Sequence, residues 1–304
     1  MCIKGNAMSH VVAIAGGSGA LGRTIIDALK KSTYKPLILA RQVNIFMTSQ
    51  KSHTDAEKAN QALESDIGVP VLQADYSNQE SLIQLFESHK IDTVISCITN
   101  YSDSHNVEQQ QRDPVSHIAT YPASGLRLTI QLGQSFRTIT TCTPGRFKSA
   151  LAIDMDGNAA GIPGDGNYPV YFTHTTDVAK YTAALLGLDH WQKKYFVYGD
   201  EMTWNEAVAI SQAMKGVKFN ITYDAIEKLE RGEITELTGH KATYAHLLGS
   251  DSADAKAMFQ RIMSGVVAFM AEGHMVYEAP LLNEIFPDIK ALKVKEAMTP
   301  NSAA

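Results

Sequence analysis

The sequence predicts an α/β fold, a doubly wound parallel sheet with a smaller C-terminal α/β lobe. Three observations carry it. Val11-Val-Ala-Ile-Ala15 is a short apolar run suited to a buried parallel strand. It breaks into Gly16-Gly-Ser-Gly-Ala-Leu-Gly22, and a helical pattern over 23–31 follows with Ile25, Ile26 and Leu29 apolar. Further apolar runs then alternate with helical patterns, the rhythm of strand–helix–strand units. Glycine makes up 21 of 304 residues, so the spacing alone says little. The strand before it and the helix after it give it meaning.

The three spaced glycines answer separate needs. Gly16 allows the tight turn, Gly19 lets the backbone approach a pyrophosphate, and Gly22 permits close packing of helix on strand. Gly17, Ser18, Ala20 and Leu21 complete a loop whose N–H groups face phosphate at the positive end of a helix. The alternative is a glycine-rich turn with no ligand. At the start of a Rossmann-like domain, expected over residues 8–155, the dinucleotide site is the stronger reading. A C-terminal substrate lobe is expected over 156–304, partly interleaved with the Rossmann sheet.

The second strand, Lys35-Pro-Leu-Ile-Leu-Ala40, ends in Arg41. An NAD-preferring domain usually places an acid there to accept from the ribose hydroxyls. Here Ala40-Arg41-Gln42 offers a guanidinium instead, which grips a 2′-phosphate with paired charge-assisted bonds. A solvated arginine at a strand end is the alternative, and NADP (NADPH) is the expected cofactor. The third run, 69–74, leads into Asp75-Tyr76, where Asp75 either meets the adenine or serves the next helix. Ser77-Asn-Gln-Glu80 predicts a capping box for that helix. The fourth run, 92–98, closes on Cys97-Ile98 and leads into Thr99-Asn100, and strand carboxyl ends are where an open α/β sheet binds its ligand.

These stretches also carry a family likeness. Gly-Gly-Ser-Gly-Ala-Leu-Gly, Leu-Ile-Leu-Ala-Arg, Ala-Asp-Tyr-Ser-Asn-Gln-Glu-Ser-Leu and Thr-Val-Ile-Ser-Cys-Ile resemble the NmrA-like and isoflavone-reductase-like branch of the atypical short-chain dehydrogenases. The segment Ile162-Pro-Gly-Asp-Gly-Asn to Asp177-Val-Ala-Lys180, and Met202-Thr-Trp-Asn-Glu206, are similar to later landmarks of that family. The likeness covers roughly 10–100 and 120–235. It implies an NADPH-dependent reductase of a small aromatic or enone substrate, possible in secondary metabolism, with a lysine as acid or base.

The likeness also exposes a shortfall. Ala123-Ser-Gly-Leu-Arg-Leu-Thr-Ile130 resembles the family's sixth strand, yet only Asn100 to Pro122 separates it from the fourth. That interval is polar, and a crossover needs about a dozen residues before its own strand is counted. The family's fifth strand and its lysine helix do not fit, which predicts that the fourth strand lacks its usual neighbour. In another register, 136–141 forms the fifth strand, with Pro144 and Lys148 after it.

No tyrosine has a lysine four residues on, so the ordinary tyrosine–lysine acid pair is absent from the sequence. Lys148 is the one central candidate for the family lysine, and a surface loop lysine is its other reading. Lys180 lies on a helix and reads as solvated. His174 is the informative histidine, beside the expected cleft, with a structural loop role as the alternative. No histidine or cysteine spacing suggests a metal.

Bulk properties bound the rest. Lys and Arg number 27 against 32 Asp and Glu, a net −5 without charge blocks, so nucleic acid and anionic membrane are poor partners. Cys2, Cys97 and Cys142 are odd in number and scattered, against a disulfide framework. The N-terminal residues lack an apolar leader core and no 18-residue apolar run occurs, so a cytoplasmic setting is expected. Beyond residue 150, short strands are predicted over 150–154, 159–162, 169–172, 194–198 and 218–222. Helices are predicted over 177–186, 224–231 and 252–271, the last with Ala257, Met258, Ile262, Val266, Phe269 and Met270 as its apolar face, and Thr203-x-x-Glu206 caps another. Two further readings stand beside the reductase: a non-catalytic NAD(P)-sensing regulator with a protein partner, and a truncated inactive relative.

Overall fold

The computed structural model describes residues 10–41, 53–76, 78–98, 128–131, 151–192, 194–273 and 279–298. They fall into two compact units, Met1–Gln134 and Ser135–Ala304. The first holds five strands, β1 (Val11–Ala15), β2 (Lys35–Arg41), β3 (Val71–Ala74), β4 (Ile91–Ser96) and β5 (Leu128–Gln131). Their order is β3-β2-β1-β4-β5 and every pairing is parallel. Among the described residues three helices accompany them, α1 (Ala20–Lys30), α2 (His53–Ile67) and α3 (Gln79–Ser88).

The register brings the strands' carboxyl ends together. Ala15 lies opposite Leu39 on one side and Ser96 on the other, and Arg41 lies opposite Ala74. Both faces of the sheet are covered, which is why β1 reads as a continuous apolar run and β4 is buried at every position but Asp92. Ala13, Ala15, Leu37, Leu39 and Val94 pack with Leu82 and Phe86 of α3. Ile25, Ile26 and Leu29 of α1 are fully buried. Full burial of each aliphatic side chain contributes about 1.5–3 kcal/mol, more than the roughly 1 kcal/mol a helix gains from a good N-cap. Packing therefore holds α1, whose N-cap Gly19 has no side chain to cap it.

β4 does not lack a neighbour. The stretch that resembles the family's sixth strand is β5, paired with β4 from Thr93 opposite Leu128 to Ser96 opposite Gln131. A parallel neighbour must supply only evenly spaced backbone donors and acceptors, so the next short run fills the place. The other candidate strand, 136–141, lies outside the described residues. α3 is capped by Asn78, whose Oδ1 accepts from the Ser81 N–H at 3.0 Å, one residue later than the expected box start.

In the second unit, β6 (Ile153–Asp154), β7 (Ala159–Pro163) and β10 (Asn220–Asp224) form a sheet in the order β10-β7-β6. β6, which precedes the boundary expected at residue 155, pairs antiparallel with β7 in this unit. β8 (Pro169–Phe172) pairs antiparallel with β9 (Asp200–Thr203). The helices are α4 (Thr175–Leu185), α5 (Trp204–Lys215), α6 (Ile226–Glu230), α7 (His240–Leu248), α8 (Ala253–Ala271), α9 (Leu282–Ile285) and α10 (Val294–Ala297). Trp204 centres the core, edge-on to Phe172 at 5.6 Å, with Ile162, Val170, Phe219 and Met270 around it.

The predicted capping box of α5 forms in full. Thr203 Oγ1 accepts from the Glu206 N–H at 3.1 Å, and Glu206 Oε2 accepts from the Thr203 N–H at 2.8 Å. The strand expected over 194–198 is reduced to one bridge, Phe196 to Leu281. The inward face of α8 is Ala255, Phe259, Val267 and Met270, while Phe269 is 47% exposed and Ala257 is exposed. Residues 281–294 are held by polar contacts. Asp177 Oδ2 accepts from the Leu292 N–H at 2.8 Å, the Tyr181 hydroxyl donates to the Ile289 carbonyl at 2.8 Å, and Asp200 Oδ2 accepts from the Val294 N–H at 3.0 Å.

Candidate nucleotide site

The turn after β1 is built as a phosphate loop requires. Gly16 has φ +76°, a left-handed conformation that side chains resist. A Cβ there would also lie 3.1 Å from the backbone of Cys97, so strand β4 closes against this turn. The Gly19 N–H donates back to the Gly16 carbonyl at 3.1 Å, and the Arg23 N–H to the Gly19 carbonyl at 2.9 Å. A Cβ on Gly22 would lie 2.5 Å from the Gly16 carbonyl oxygen and 2.6 Å from Gly17 Cα, which forces glycine at that contact. A Cβ on Gly17 would meet Ile38 at 2.9 Å. Gly19 is different: only the Gly16 carbonyl oxygen lies near its Cβ position, at 3.3 Å, and the residue is exposed beside Ser18.

These contacts separate the glycines by task. Gly16, Gly17 and Gly22 are required by packing inside the domain, whereas Gly19 keeps an outward surface low. Helix α1 starts there with no capping side chain and no acidic residue in its first turn. An anion at that end meets the helix's positive pole without competition from a carboxylate on the same turn. The residues present fit the pyrophosphate of a dinucleotide.

The remaining expected residues sit on neighbouring strand ends. Arg41 is the last residue of β2, and Asp75 and Tyr76 follow β3. The Tyr76 hydroxyl donates to the Leu39 carbonyl at 3.0 Å, which ties the β3 end to β2, and Asp75 accepts the Asn78 N–H on its carbonyl at 3.2 Å. The Cys97 N–H donates to the Ala15 carbonyl at 2.8 Å, and Ile98 packs into the apolar layer under α3. Ala20 and Leu21 open α1. Gly16, Arg41, Asp75 and Cys97 thus lie at one end of one sheet. Thr99 and Lys148 lie outside the described residues.

In the second unit the expected polar residues serve structure. His174 caps α4: its Nδ1 lies 2.6 Å from Thr176 Oγ1 and accepts from the Thr176 N–H at 3.3 Å. Burial pushes its imidazole below the ordinary histidine value. Lys180 pairs with the buried Asp177 at 2.8 Å rather than standing alone in solvent. Among the described residues no group of three or more His, Cys, Asp or Glu is placed to hold a metal. No described helix is long and apolar enough to cross a membrane.

One contact was not foreseen from sequence. Arg23, just past the third glycine, donates from Nε to the Ser18 carbonyl at 3.0 Å and from its guanidinium to Asp66 Oδ2 at 2.5 Å. Asp66 belongs to α2, a helix the sequence reading did not place, so the pair had no visible partner. A basic residue in the first turn, where acids are favoured, was the signal available.

The comparisons with known proteins agree with this geometry. Residues 12–120 match the NAD dependent epimerase/dehydratase family. An oxidoreductase of Botryotinia fuckeliana, named BOA1, is 26% identical over 315 residues, covering 91% of this chain and 95% of its own length. That alignment runs over more positions than the 304 residues of this chain, so the relative carries residues that this chain lacks within the matched span. Among solved structures, isoflavone reductase superposes with a TM-score of 0.61 at 17% identity, over 96% of this chain and 99% of that one. The leucoanthocyanidin reductase–NADPH complex from Vitis vinifera gives 0.59 at 18% identity, over 94% and 97%. The fold is that of the isoflavone-reductase-like reductases.

Proposed function

We propose that this chain is an NADPH-dependent oxidoreductase of the isoflavone-reductase-like type, acting on a small aromatic or enone metabolite. The observation that carries the cofactor half is the packing of Gly22 on Gly16, so close that a Cβ on Gly22 would fall 2.5 Å from the Gly16 carbonyl oxygen; it seats an uncapped helix N-terminus at the carboxyl end of the central strand. The oxidoreductase names of relatives matched along almost their whole length support the reaction class. Arg41 at the β2 end, in place of an acid, favours the 2′-phosphate of NADPH over a bare ribose.

The division of labour follows from position. The loop 16–22 and the α1 N-terminus bind the pyrophosphate, Arg41 selects the adenosine end, and Asp75, Tyr76, Cys97 and Ile98 border the cofactor along the strand ends. When bound, the nicotinamide supplies a hydride equivalent. Lys148 is the chain's candidate for the proton. The reading is tested by titrating the purified protein with NADPH and NADH by fluorescence, then following NADPH oxidation at 340 nm with candidate enones and aromatic ketones. Micromolar NADPH binding with turnover that falls in Lys148→Met supports it. Binding without turnover on any of them favours a sensing role, and no binding overturns the reading.

A further inference from the structure

We propose that Arg23 is a positioning residue that sets the shape of the phosphate loop, with Asp66 of α2 as its anchor. The proposal rests on the dinucleotide reading of residues 16–22. The Ser18–Gly19 peptide is pinned from both sides. Its N–H end, on Gly19, donates to the Gly16 carbonyl at 3.1 Å, and its carbonyl end, on Ser18, accepts from Arg23 Nε at 3.0 Å. A peptide plane held at both ends cannot flip, so the Ser18 carbonyl is kept turned toward Arg23. An unheld peptide can rotate its carbonyl toward an incoming phosphate, where its negative end repels the ligand. A preorganised loop spares that ordering cost on binding.

The guanidinium is itself fixed. Its far side meets Asp66 Oδ2 at 2.5 Å. Seven residues along α1, Lys30 donates through Nζ to the Ile67 carbonyl at 2.5 Å, so both basic side chains of this face hold the last turn of α2. A cation at the carbonyl end of a helix is favourably placed. The pair Arg23–Asp66 is partly exposed, with side chains 32% and 61% accessible, and contributes little to stability by itself. Its effect is directional. The planar fork of arginine can address a carbonyl and a carboxylate at once, which the point charge of lysine does not. Because α2 belongs to the stretch of chain that follows Arg41, the clamp also couples the segment after the 2′-phosphate residue to the pyrophosphate loop.

The test compares two probes, NADPH and adenosine 2′-monophosphate, which lacks the pyrophosphate. In Arg23→Met, NADPH affinity is expected to fall roughly tenfold, the size of one lost charge-assisted hydrogen bond, while the monophosphate binds as before. Arg23→Lys keeps the stem and the charge, and is expected to show the same selective loss. Asp66→Ala, which removes the anchor but leaves Arg23 in place, is expected to weaken NADPH about two- to threefold, as for an exposed ion pair. Full affinity in Arg23→Lys shows that charge alone acts and overturns the proposal. So does an unchanged NADPH affinity in either Arg23→Met or Asp66→Ala, or an equal loss of both probes. A wild-type protein that binds neither probe overturns the dinucleotide reading and this proposal with it. Normal binding that survives Arg23→Met overturns only the role of Arg23.

Discussion

Gly22 sits so close to Gly16 that a β-carbon on the former would fall 2.5 Å from the carbonyl oxygen of the latter. Two backbones, the start of α1 and the end of β1, occupy the room a side chain needs. Gly22→Ala must therefore move the helix off the strand. We expect a loss of about 1–3 kcal/mol, as for overpacking elsewhere, and the same shift to spoil cofactor binding. Chemical denaturation and NADPH titration on one variant read both.

Gly19→Val is expected to behave oppositely in stability. Its Cβ position has only the Gly16 carbonyl oxygen near it, at 3.3 Å, so the fold keeps its packing while the branched side chain fills the ligand's approach. Thermal unfolding should stay near wild type and NADPH binding should vanish. A variant that still binds NADPH with wild-type affinity contradicts the site.

Arg41→Asp is expected to cut NADPH affinity at least about tenfold, since a charged hydrogen bond contributes roughly 1.5–3 kcal/mol and each 1.4 kcal/mol is a factor of ten. NADH affinity should fall far less, or rise. The ratio of the two dissociation constants is the measurement, and a wild-type protein that already prefers NADH removes Arg41 from the site.

His240 makes the second unit sensitive to acid. It is 1% exposed, its Nδ1 accepts from the Leu237 N–H at 3.2 Å, and its Nε2 faces the Leu151 carbonyl at 3.1 Å. Burial pushes its imidazole below the ordinary value, against the pull of the Leu151 carbonyl and of Asp154, Glu236 and Asp224. His174 shifts the same way. The unfolded chain takes up these protons below about pH 6.5 while the folded one resists them, so stability is full above that and falls as pH drops toward the folded value. Urea unfolding at pH 7.5 and 5.5 should show the fall, with a shallower slope in His240→Gln.

Asp177 is fully buried and accepts from both the Leu292 N–H and Lys180, each at 2.8 Å. Asp177→Ala leaves a backbone donor unsatisfied, at a cost of about 1–3 kcal/mol. Limited proteolysis should then cut within 287–298 well before the wild-type protein is cut there.

How much of this was legible in the sequence depended on whether a residue's partner was near in the chain. The β1 turn, the end of β2 at Arg41 and the Thr203–Glu206 box were readable as structure because each is a pattern local in the chain. Helix α2 was not, because its sequence over 53–67 has few apolar residues to set a period, and among the described side chains of 57–67 only Ile67 is buried. With α2 unseen, Asp66 and hence the Arg23 contact were invisible too. The face of α8 was misjudged by about one position, since Met258 and Phe259 are both apolar and only packing decides that Phe259 turns inward beside His240 at 5.1 Å. Asn78 replaced the expected cap because both Ser77 and Asn78 are good capping residues and the helix start chose between them. Strand β5 was visible as a stretch of likeness, but its place beside β4 is a property of the sheet.

The polar staples on residues 281–294 bear on how the chain is made. Their partners, Asp177, Tyr181 and Asp200, are translated roughly a hundred residues earlier, as the sequence separations of 115, 108 and 94 record. The described strands of the first unit end at Gln131, so all five are synthesised while most of the second unit is still to come, at about 5–20 residues per second. Asp177 then waits several seconds for the Leu292 amide it accepts from. During that interval the nascent protein presents the five described parallel strands and a lobe whose staples are not yet in place.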